Sequence, residues 1–597
     1  MTGERSAKRA AAREVRNVRP WLLALLAGAA SFVAYILTLS PTVGLIDSGE
    51  LAAGCRLLNI LHPTGYPLYT MLGRLASLVP IGAVVNRVAV LSALLAATGV
   101  GLLLLLLLRL GVSRTVAAVA ALVVGFSYPV WSVAVDVEVY SLTLILLALL
   151  WSAAERAEAG RQLLIFAYLC GLVLTNHMSA ASAVLGAGVA VLVANRRSIG
   201  PALPAMAALA ALSVSLYLFL VLRSRAEPLL AWGNPHNLER LWWHVTGKQY
   251  QVWMFSTPMP QVMANAGRGA LLLARSLLFV LVPVAGYGIA CLWRKRRGLT
   301  LGLLISAVAA FGYAVNYSIP DIEAYYIPCL PALCVFTALG LDGIVRRVGR
   351  WRYALWVLAL AALALNFKAA GKQGDYVAFD QAMNTLQSAR PNATVLTDWW
   401  DLEAPAFYLQ HIEAVRPDVC MIDKELLRRS WYFKYLAKQY PWLVDRSRTE
   451  VDAYLAYLDD FEHDRLRDPA GIQRAYIAMM ASFVTRNPDR PAYSTYDVDA
   501  DADARELLPG MPRVPVGLLF ELRSDTALPQ CDYSQWRIRM PRHTLDQRTR
   551  VCLERYRFFV MKRAATLAGR GRVTEANELV GWYQKQPVSR IAPLPRR

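Results

Sequence analysis

"PWLLALLAGAASFVAYILTLSPTVGLIDSGE" runs from Pro20 to Glu50, and its two ends call for different surroundings. Residues 21–40 are apolar over about 20 positions, enough for a helix to cross a bilayer. Asp47 and Glu50 then stand at the mouth of that span. An Asp with Glu three residues later, ahead of "ELAAGCRLLNI", has the form of a helix capping box. It has equally the form of an acid pair that does chemistry at a membrane surface.

The 597-residue chain is 56% hydrophobic and 18% charged, with a mean hydropathy of +0.35. Soluble domains carry about a quarter charged residues. Apolar stretches recur at roughly 21–40, 87–109, 115–132, 138–154, 162–176, 178–195, 201–223, 268–293, 299–317, 324–345 and 351–368, about eleven in all. The fold class read from this pattern is an α-helical polytopic membrane protein. The net charge of +20 needs no nucleic-acid partner, because the basic residues sit at span ends. Arg5, Lys8, Arg9, Arg13, Arg16 and Arg19 precede the first span, and residues 1–20 read as a cytoplasmic basic segment before a retained anchor. Arg109, Arg114, Arg156, Arg161, Arg196, Arg197, the Arg294–Arg297 run and Arg346, Arg347, Arg350 and Arg352 then fall on inner loops. The short outer turns near Val135, Asn176 and Ile319 carry no Lys or Arg.

An odd number of crossings sends everything after about residue 369 outward. The transmembrane domain is thus 21–368, with outer loops at 41–86 and 224–267, and 369–597 is an extracytoplasmic soluble domain. Apolar positions at helical spacing in "ELAAGCRLLNILH" and "LYTMLGRLASLV" predict short helices along the membrane surface. In the C-terminal region Thr394–Thr397 and Val419–Ile422 read as strands around a helix. Two amphipathic helices are predicted around the turn at Gly569–Gly571, giving an α/β plus helical domain. Asp497–Glu506 is expected to be a solvated acidic loop without EF-hand spacing. None of the eight cysteines has zinc spacing, and Cys531 with Cys552 is the expected disulfide if this region is extracytoplasmic.

The candidate site residues fall in the outer segments. "HPTGYPLY" places His62, Tyr66 and Tyr69 around two prolines and a glycine, and Arg74 follows. "VWSVAVDVEVYSL" adds Asp136, Glu138 and Tyr140, and "TNH" adds Asn176 and His177. The long loop "NPHNLERLWWHVTGKQY" adds His244 and Lys248, and "YSIPDIEAYYIP" adds Asp321 and Glu323. Interfacial anchoring would explain any one of these, but acids, histidines and tyrosines in several loops of one face suggest a path for polar substrates. A hydroxyl nucleophile needs a carboxylate base, which Asp47 or Glu50 supplies, and a leaving phosphate needs cations or donors. Arg74, Lys248 and His62 are available for the latter. There is no P-loop, Rossmann fingerprint, HExxH or GxSxG.

The combination "DSGE", "HPTGYPLY", "DVEVYSL", "TNH" and "DIEAYYIP" resembles the GT-C superfamily of lipid-phosphate-sugar glycosyltransferases. Within it, the pattern is similar to the domain-of-unknown-function 2723 family, which includes eukaryotic protein O-mannosyltransferases. The resemblance covers about residues 20–370. It implies a polyprenyl-phosphate sugar donor, a protein or glycolipid acceptor, and inversion. On that reading Asp47 takes the acceptor proton, Glu50 and Glu138 orient the acceptor or hold a metal, and His62 with Tyr66 supports the phosphate. The resemblance names no cofactor, and a divalent metal is left open. "TDWWDLEAP" departs from the aspartate-containing turn expected in the outer domain. Composition rich in Ala, Leu, Arg and Val suggests a bacterial inner-membrane member with 369–597 in the periplasm or outside. The rival readings are a transporter or flippase of lipid-linked sugars, which would place polar groups at the bilayer midplane, and a surface-polysaccharide polymerase or ligase.

Overall fold

The structure is a computed structural model that describes residues 19–157, 160–196, 199–319, 321–500, 507–525 and 527–594, with 348–351 described by backbone alone. Arg5, Lys8, Arg9, Arg13, Arg16 and Arg197 lie outside the described residues, as do 501–506 of the acidic stretch.

Six helices are long and apolar enough to cross a membrane: Pro20–Leu37, Val84–Arg109, Met178–Asn195, Gly200–Arg225, Arg297–Val315 and Ile322–Arg347. Two further spans are bent, Arg114–Gly125 with Tyr128–Ala134 by 64° and Met259–Ser276 with Leu281–Lys295 by 86°. The shorter helices Tyr140–Arg156, Arg161–Leu174 and Arg352–Phe367 occupy the remaining apolar stretches. Every predicted stretch therefore has a helical counterpart, and the chain is a multi-pass membrane protein. The stretch at 268–293 is not one straight span. Leu278 and Phe279 take left-handed φ values of 52° and 56°, which end one helix and turn the next. At the other bend Pro129 opens the second helix, and Tyr35 donates to the Gly125 carbonyl at 2.7 Å.

Close crossings rest on small residues. A Cβ on Gly186 would lie 2.2 Å from the Gly302 carbonyl oxygen, so Met178–Asn195 and Arg297–Val315 touch backbone to backbone. At one end of the bundle Arg346 donates to the Gly111 carbonyl at 3.1 Å and Arg296 pairs with Glu155 at 2.5 Å. The predicted inner loops thus share one end. Asp47, Asp136, His177 and Asp321 gather at the other.

The first outer loop folds as helices Ser48–Leu57 and Pro67–Ser77. The first is not a surface helix. Ser48 to Cys55 are all buried, because the Trp400–His411 helix of the C-terminal region covers it. A Cβ on Gly49 would sit 2.1 Å from the Ala404 carbonyl oxygen, an approach only glycine permits. The two outer loops are also joined: Ile60 N–H donates to the Leu230 carbonyl at 3.0 Å, and Trp232 N–H returns to Ile60 at 3.2 Å.

After Phe367 the chain forms a five-stranded sheet. The strands are β1 (Thr394–Thr397), β2 (Cys420–Asp423), β3 (Ala492–Ser494), β4 (Arg513–Val516) and β5 (Leu519–Leu522), in the order β2-β1-β3-β5-β4. β1 runs parallel to β2 and β3, and β5 is antiparallel to β3 and β4. Helices Gln547–Ala568 and Val573–Lys585 pack Cys552, Tyr556 and Phe559 against Val377 and Phe520. The expected Cys531–Cys552 disulfide is absent and both thiols are free. Cys552 is buried in the core of the helix pair, whereas Cys531 packs against the larger cluster. The acidic stretch begins as the helix Tyr496–Ala500, with Asp497 paired to Arg555 and Asp499 to Arg513.

Candidate active site

Asp47 occupies the N-cap position of Ser48–Leu57, yet its side chain makes no capping bond. Oδ1 instead accepts from the Trp400 indole N–H at 2.8 Å, and Oδ2 faces His62 Nε2 at 3.6 Å. About 23% of the Asp47 side chain is exposed. Glu50 does not reach back to the cap either. Its Oε1 accepts the His62 backbone N–H at 2.8 Å and its Oε2 meets His62 Nδ1 at 2.6 Å. The acid pair is therefore not a capping box.

The hydrogen bonds define the charge of His62. Tyr66 gives its hydroxyl proton to the Pro63 carbonyl at 2.9 Å, so toward His62 Nε2, also at 2.9 Å, it accepts. With Nδ1–H given to Glu50, both ring nitrogens donate, as only an imidazolium can. Burial opposes that charge, but Glu50 and Asp47 outweigh it and hold the ring up to about 10. Burial raises the Asp47 carboxyl above its ordinary range, and Glu50 adds to this against the opposing pull of His62, Trp400 and Arg548.

His177 is the opposite case. Burial and the nearby His62 charge push it down to about 3, so it is neutral. Ser179 N–H donates to its Nδ1 at 3.1 Å, which leaves the proton on Nε2, 3.2 Å from the Tyr140 hydroxyl. Its ring stacks on Tyr66 at 5.8 Å and meets Tyr325 edge-on at 5.2 Å. Tyr140, Tyr325, Tyr317 and Tyr313 continue this wall from the span ends.

Glu138 is half-buried, and its carboxyl has no hydrogen-bond or ion-pair partner among the described residues. Burial and the Asp47, Asp136 and Asp321 carboxylates hold it well above the usual glutamate range. Asp136 is spent on structure: Oδ1 accepts from Ser48 at 2.7 Å and Oδ2 from Lys372 at 2.7 Å. Tyr69 reaches Ser92 at 3.3 Å, whose Oγ accepts the Glu138 backbone N–H at 3.2 Å. Asn176 donates to Val139 and Thr143 and so fixes the same turn. Asp321 lies 3.9 Å from Arg548 and is pushed up to about 6 by burial and by Asp47. Glu323 follows at the start of the next span.

Two candidate cations are engaged elsewhere. Arg74 donates to the Arg56 carbonyl, and Lys248 to the Glu462 carbonyl at 2.6 Å and to Asp464 at 3.2 Å. His244 is buried between Gly65 and Gly233 beside Pro63. The structure adds residues absent from the sequence reading. Trp400 and Asp401 come from "TDWWDLEAP", the segment that departs from the family pattern. Asp401 accepts the Ile46 N–H at 3.1 Å, holding Ile46 at a left-handed φ of 59° and so presenting Asp47. Arg548 neutralises Asp401 through contacts of 2.8 and 2.7 Å. Trp232 lies 6.1 Å from His62 and 5.4 Å from Trp400. These partners are 147 to 355 residues distant in sequence, and no local pattern announces them.

One ligand atom each from Asp47, Glu50 and His62 lies within 4.8 Å of the others. Two carboxylates and an imidazole suit a divalent cation. Here such an ion would take the place of an imidazolium proton, because both His62 nitrogens are already donating.

Comparison with known proteins agrees with this picture. Residues 47–200 match the sequence family described as the protein O-mannosyl-transferase TMEM260 N-terminal domain, a region that opens on Asp47. The chain is 27% identical to mouse protein O-mannosyl-transferase TMEM260 over 466 residues, 71% of this chain and 66% of that protein. It therefore spans just under two thirds of the relative's length. Its structure is similar to ArnT from Cupriavidus metallidurans bound to undecaprenyl phosphate, with a TM-score of 0.50 and 13% identity over 85% of this chain and 99% of that one. The apo form of the same protein gives a TM-score of 0.51 and 14% identity over the same shares. The fold is the GT-C fold anticipated from the sequence.

Proposed function

We propose that the chain is an integral-membrane glycosyltransferase that moves a sugar from a polyprenyl-phosphate donor to a protein hydroxyl, with inversion, at the outer face of the membrane. The observation that carries the reading is Asp47: one oxygen is fixed by Trp400, and the other faces an imidazolium on a partly exposed side chain at the end of the bundle. The name of the mouse relative supports protein O-mannosylation, and the lipid in the ArnT structure supports a polyprenyl-phosphate donor. Asp47, Glu50 and Glu138 form the proposed reaction centre.

In this mechanism the acceptor hydroxyl gives its proton to Asp47 Oδ2. Its oxygen forms the bond to the anomeric carbon from the face opposite the phosphate. The bond from that carbon to the phosphate oxygen breaks, and polyprenyl phosphate leaves with the electron pair. General-base assistance of this kind is worth roughly 10²–10⁴ in rate. His62 keeps Asp47 ionised and oriented. Glu50 acts through His62, since both of its oxygens are committed there, and is a positioning residue. Glu138, kept neutral, supplies a hydrogen-bond donor to the sugar or to the leaving phosphate, whose oxygens gain charge in the transition state. A divalent cation, where one is used, would be held by Asp47, Glu50 and His62 and would supply Lewis-acid stabilisation.

The proposed setting is a bacterial inner membrane, with residues 1–20 cytoplasmic, 21–368 membrane-embedded and 369–597 outside. A cysteine placed near residue 450 should be labelled from outside and one near residue 10 should not. The function is tested with the purified chain in liposomes containing polyprenyl-phosphate mannose and Ser/Thr peptides. A gain of one hexose on the peptide is expected, and no transfer to any peptide or envelope protein would end the reading.

A further inference from the structure

We infer that the cavity of about 690 Å³ between the 224–267 loop and the C-terminal region is the acceptor site, and that it selects polypeptide segments with a carboxylate beside the accepting hydroxyl. The inference rests on the transferase reading and adds the identity of the occupant. The volume falls within the range of ligand sites, roughly 300–1,000 Å³. Trp243, Trp253 and Trp431 line it together with Pro63, His244 and Arg429.

Its position separates it from the donor. A polyprenyl tail stays in the bilayer, so its phosphate approaches from the span ends, where Tyr140, Tyr317 and Tyr325 stand. The cavity is built instead by an outer loop and the C-terminal region, on the side that water-borne polypeptide reaches. Packed indoles link its wall to the reaction centre. Trp431 packs on Trp232 at 4.9 Å, and Trp232 packs on Trp400, which holds Asp47.

Its chemistry is lopsided. Arg240 is paired with Glu462 at 2.8 Å, Lys248 with Asp464 at 3.2 Å, and Arg428 with Glu425 at 3.3 Å. Arg429, half-buried in the same wall, has no hydrogen-bond or ion-pair partner among the described residues. His244 is 2% exposed, and neither ring nitrogen has a hydrogen-bond partner among the described residues; the Leu61 carbonyl approaches without reaching that geometry. Both nitrogens are enclosed beside Gly65 and Gly233, so the cavity's chemistry turns on Arg429. Three indole faces beside mixed charged groups suit the varied side chains of a polypeptide. The unmet guanidinium asks for a carboxylate.

The test uses the full chain in nanodiscs and fluorescent threonine peptides differing only in Asp or Asn next to the threonine. Binding is read by anisotropy without donor, and transfer is then read with polyprenyl-phosphate mannose. The unaltered chain should bind the Asp peptide about tenfold tighter, the factor that roughly 1.4 kcal/mol of charge-assisted hydrogen bonding gives. Arg429→Gln should abolish that preference, Arg429→Lys should restore part of it, and the KM for peptide should rise while that for donor stays unchanged. Equal binding of the two peptides to the unaltered chain would overturn the inference, as would a KM change confined to the lipid donor. Because binding is read without turnover, acidic preference in a chain that transfers no sugar would refute the transferase reading and leave the cavity assigned.

Discussion

The two sides of His62 are built from different aromatics. Toward the spans stand Tyr66, Tyr140, Tyr317 and Tyr325, each with a hydroxyl. Toward the outer region stand Trp232, Trp400 and Trp431, flat apolar faces with a single N–H apiece. Hydroxyls can solvate a phosphate or a sugar, whereas indoles cover side chains and exclude water. On the proposed function, the difference fits two substrates of unlike polarity meeting at one carboxylate.

The sharpest way to break that contrast is to remove the carboxylate. Asp47→Asn keeps the size and an oxygen for Trp400, and transfer should fall by roughly 10²–10⁴ with thermal stability unchanged. Near-normal turnover in a liposome assay would place the base elsewhere. Gly49→Ala attacks the junction between the two regions: its Cβ meets the Ala404 carbonyl oxygen at 2.1 Å. Overpacking of this kind costs about 1–3 kcal/mol, so the melting temperature and turnover should fall together.

Trp400→Phe keeps the ring and removes the N–H, and a rate loss of about tenfold is expected from one lost charge-assisted hydrogen bond. It also carries a pH signature. In the proposed mechanism Asp47 works ionised, and burial raises its pKa, so kcat/KM should fall with decreasing pH at a value above the ordinary aspartate range. The Trp400 N–H stabilises the charged form, so its removal should move that acid limb to higher pH. A limb that stays in place would separate Trp400 from the base. Tyr325→Phe should raise the KM for the lipid donor a few-fold, on the order of 1 kcal/mol for one hydroxyl, and leave the peptide KM alone. Chelation should have the smallest effect, none. A loss with EDTA that Mg²⁺ or Mn²⁺ restores would put a cation where the His62 proton is drawn.

The same contrast separates what could be read in the chain from what could not. The tyrosine side lies in local motifs at span ends, where hydropathy places the spans and short phrases such as "HPTGYPLY" stand out. Asp47, Glu50, His62, Tyr66, Tyr140 and His177 do come together. The indole side depends on tertiary contacts. Trp400 reaches Asp47 across 353 residues and Lys372 reaches Asp136 across 236, and neither separation leaves a periodic trace. Arg74 and Lys248 read as available to a phosphate from their charge, whereas the Arg56 carbonyl takes the first and the distant Glu462 carbonyl and Asp464 take the second. β1 and β2 were legible from their short runs around a helix, whereas β3, β4 and β5 owe their strand state to their neighbours.

The packing of Ser48–Leu57 against Trp400–His411 also sets a timetable. A ribosome delivers Asp47 long before Trp400 and Arg548, so the spans insert while the carboxylate still lacks its indole and Ile46 its anchor. On the proposed topology and function, competence arrives only when the last third of the polypeptide has crossed and docked. Nascent or truncated chains would thus stay chemically silent in a membrane that already holds activated sugar, a safeguard set by the order of synthesis.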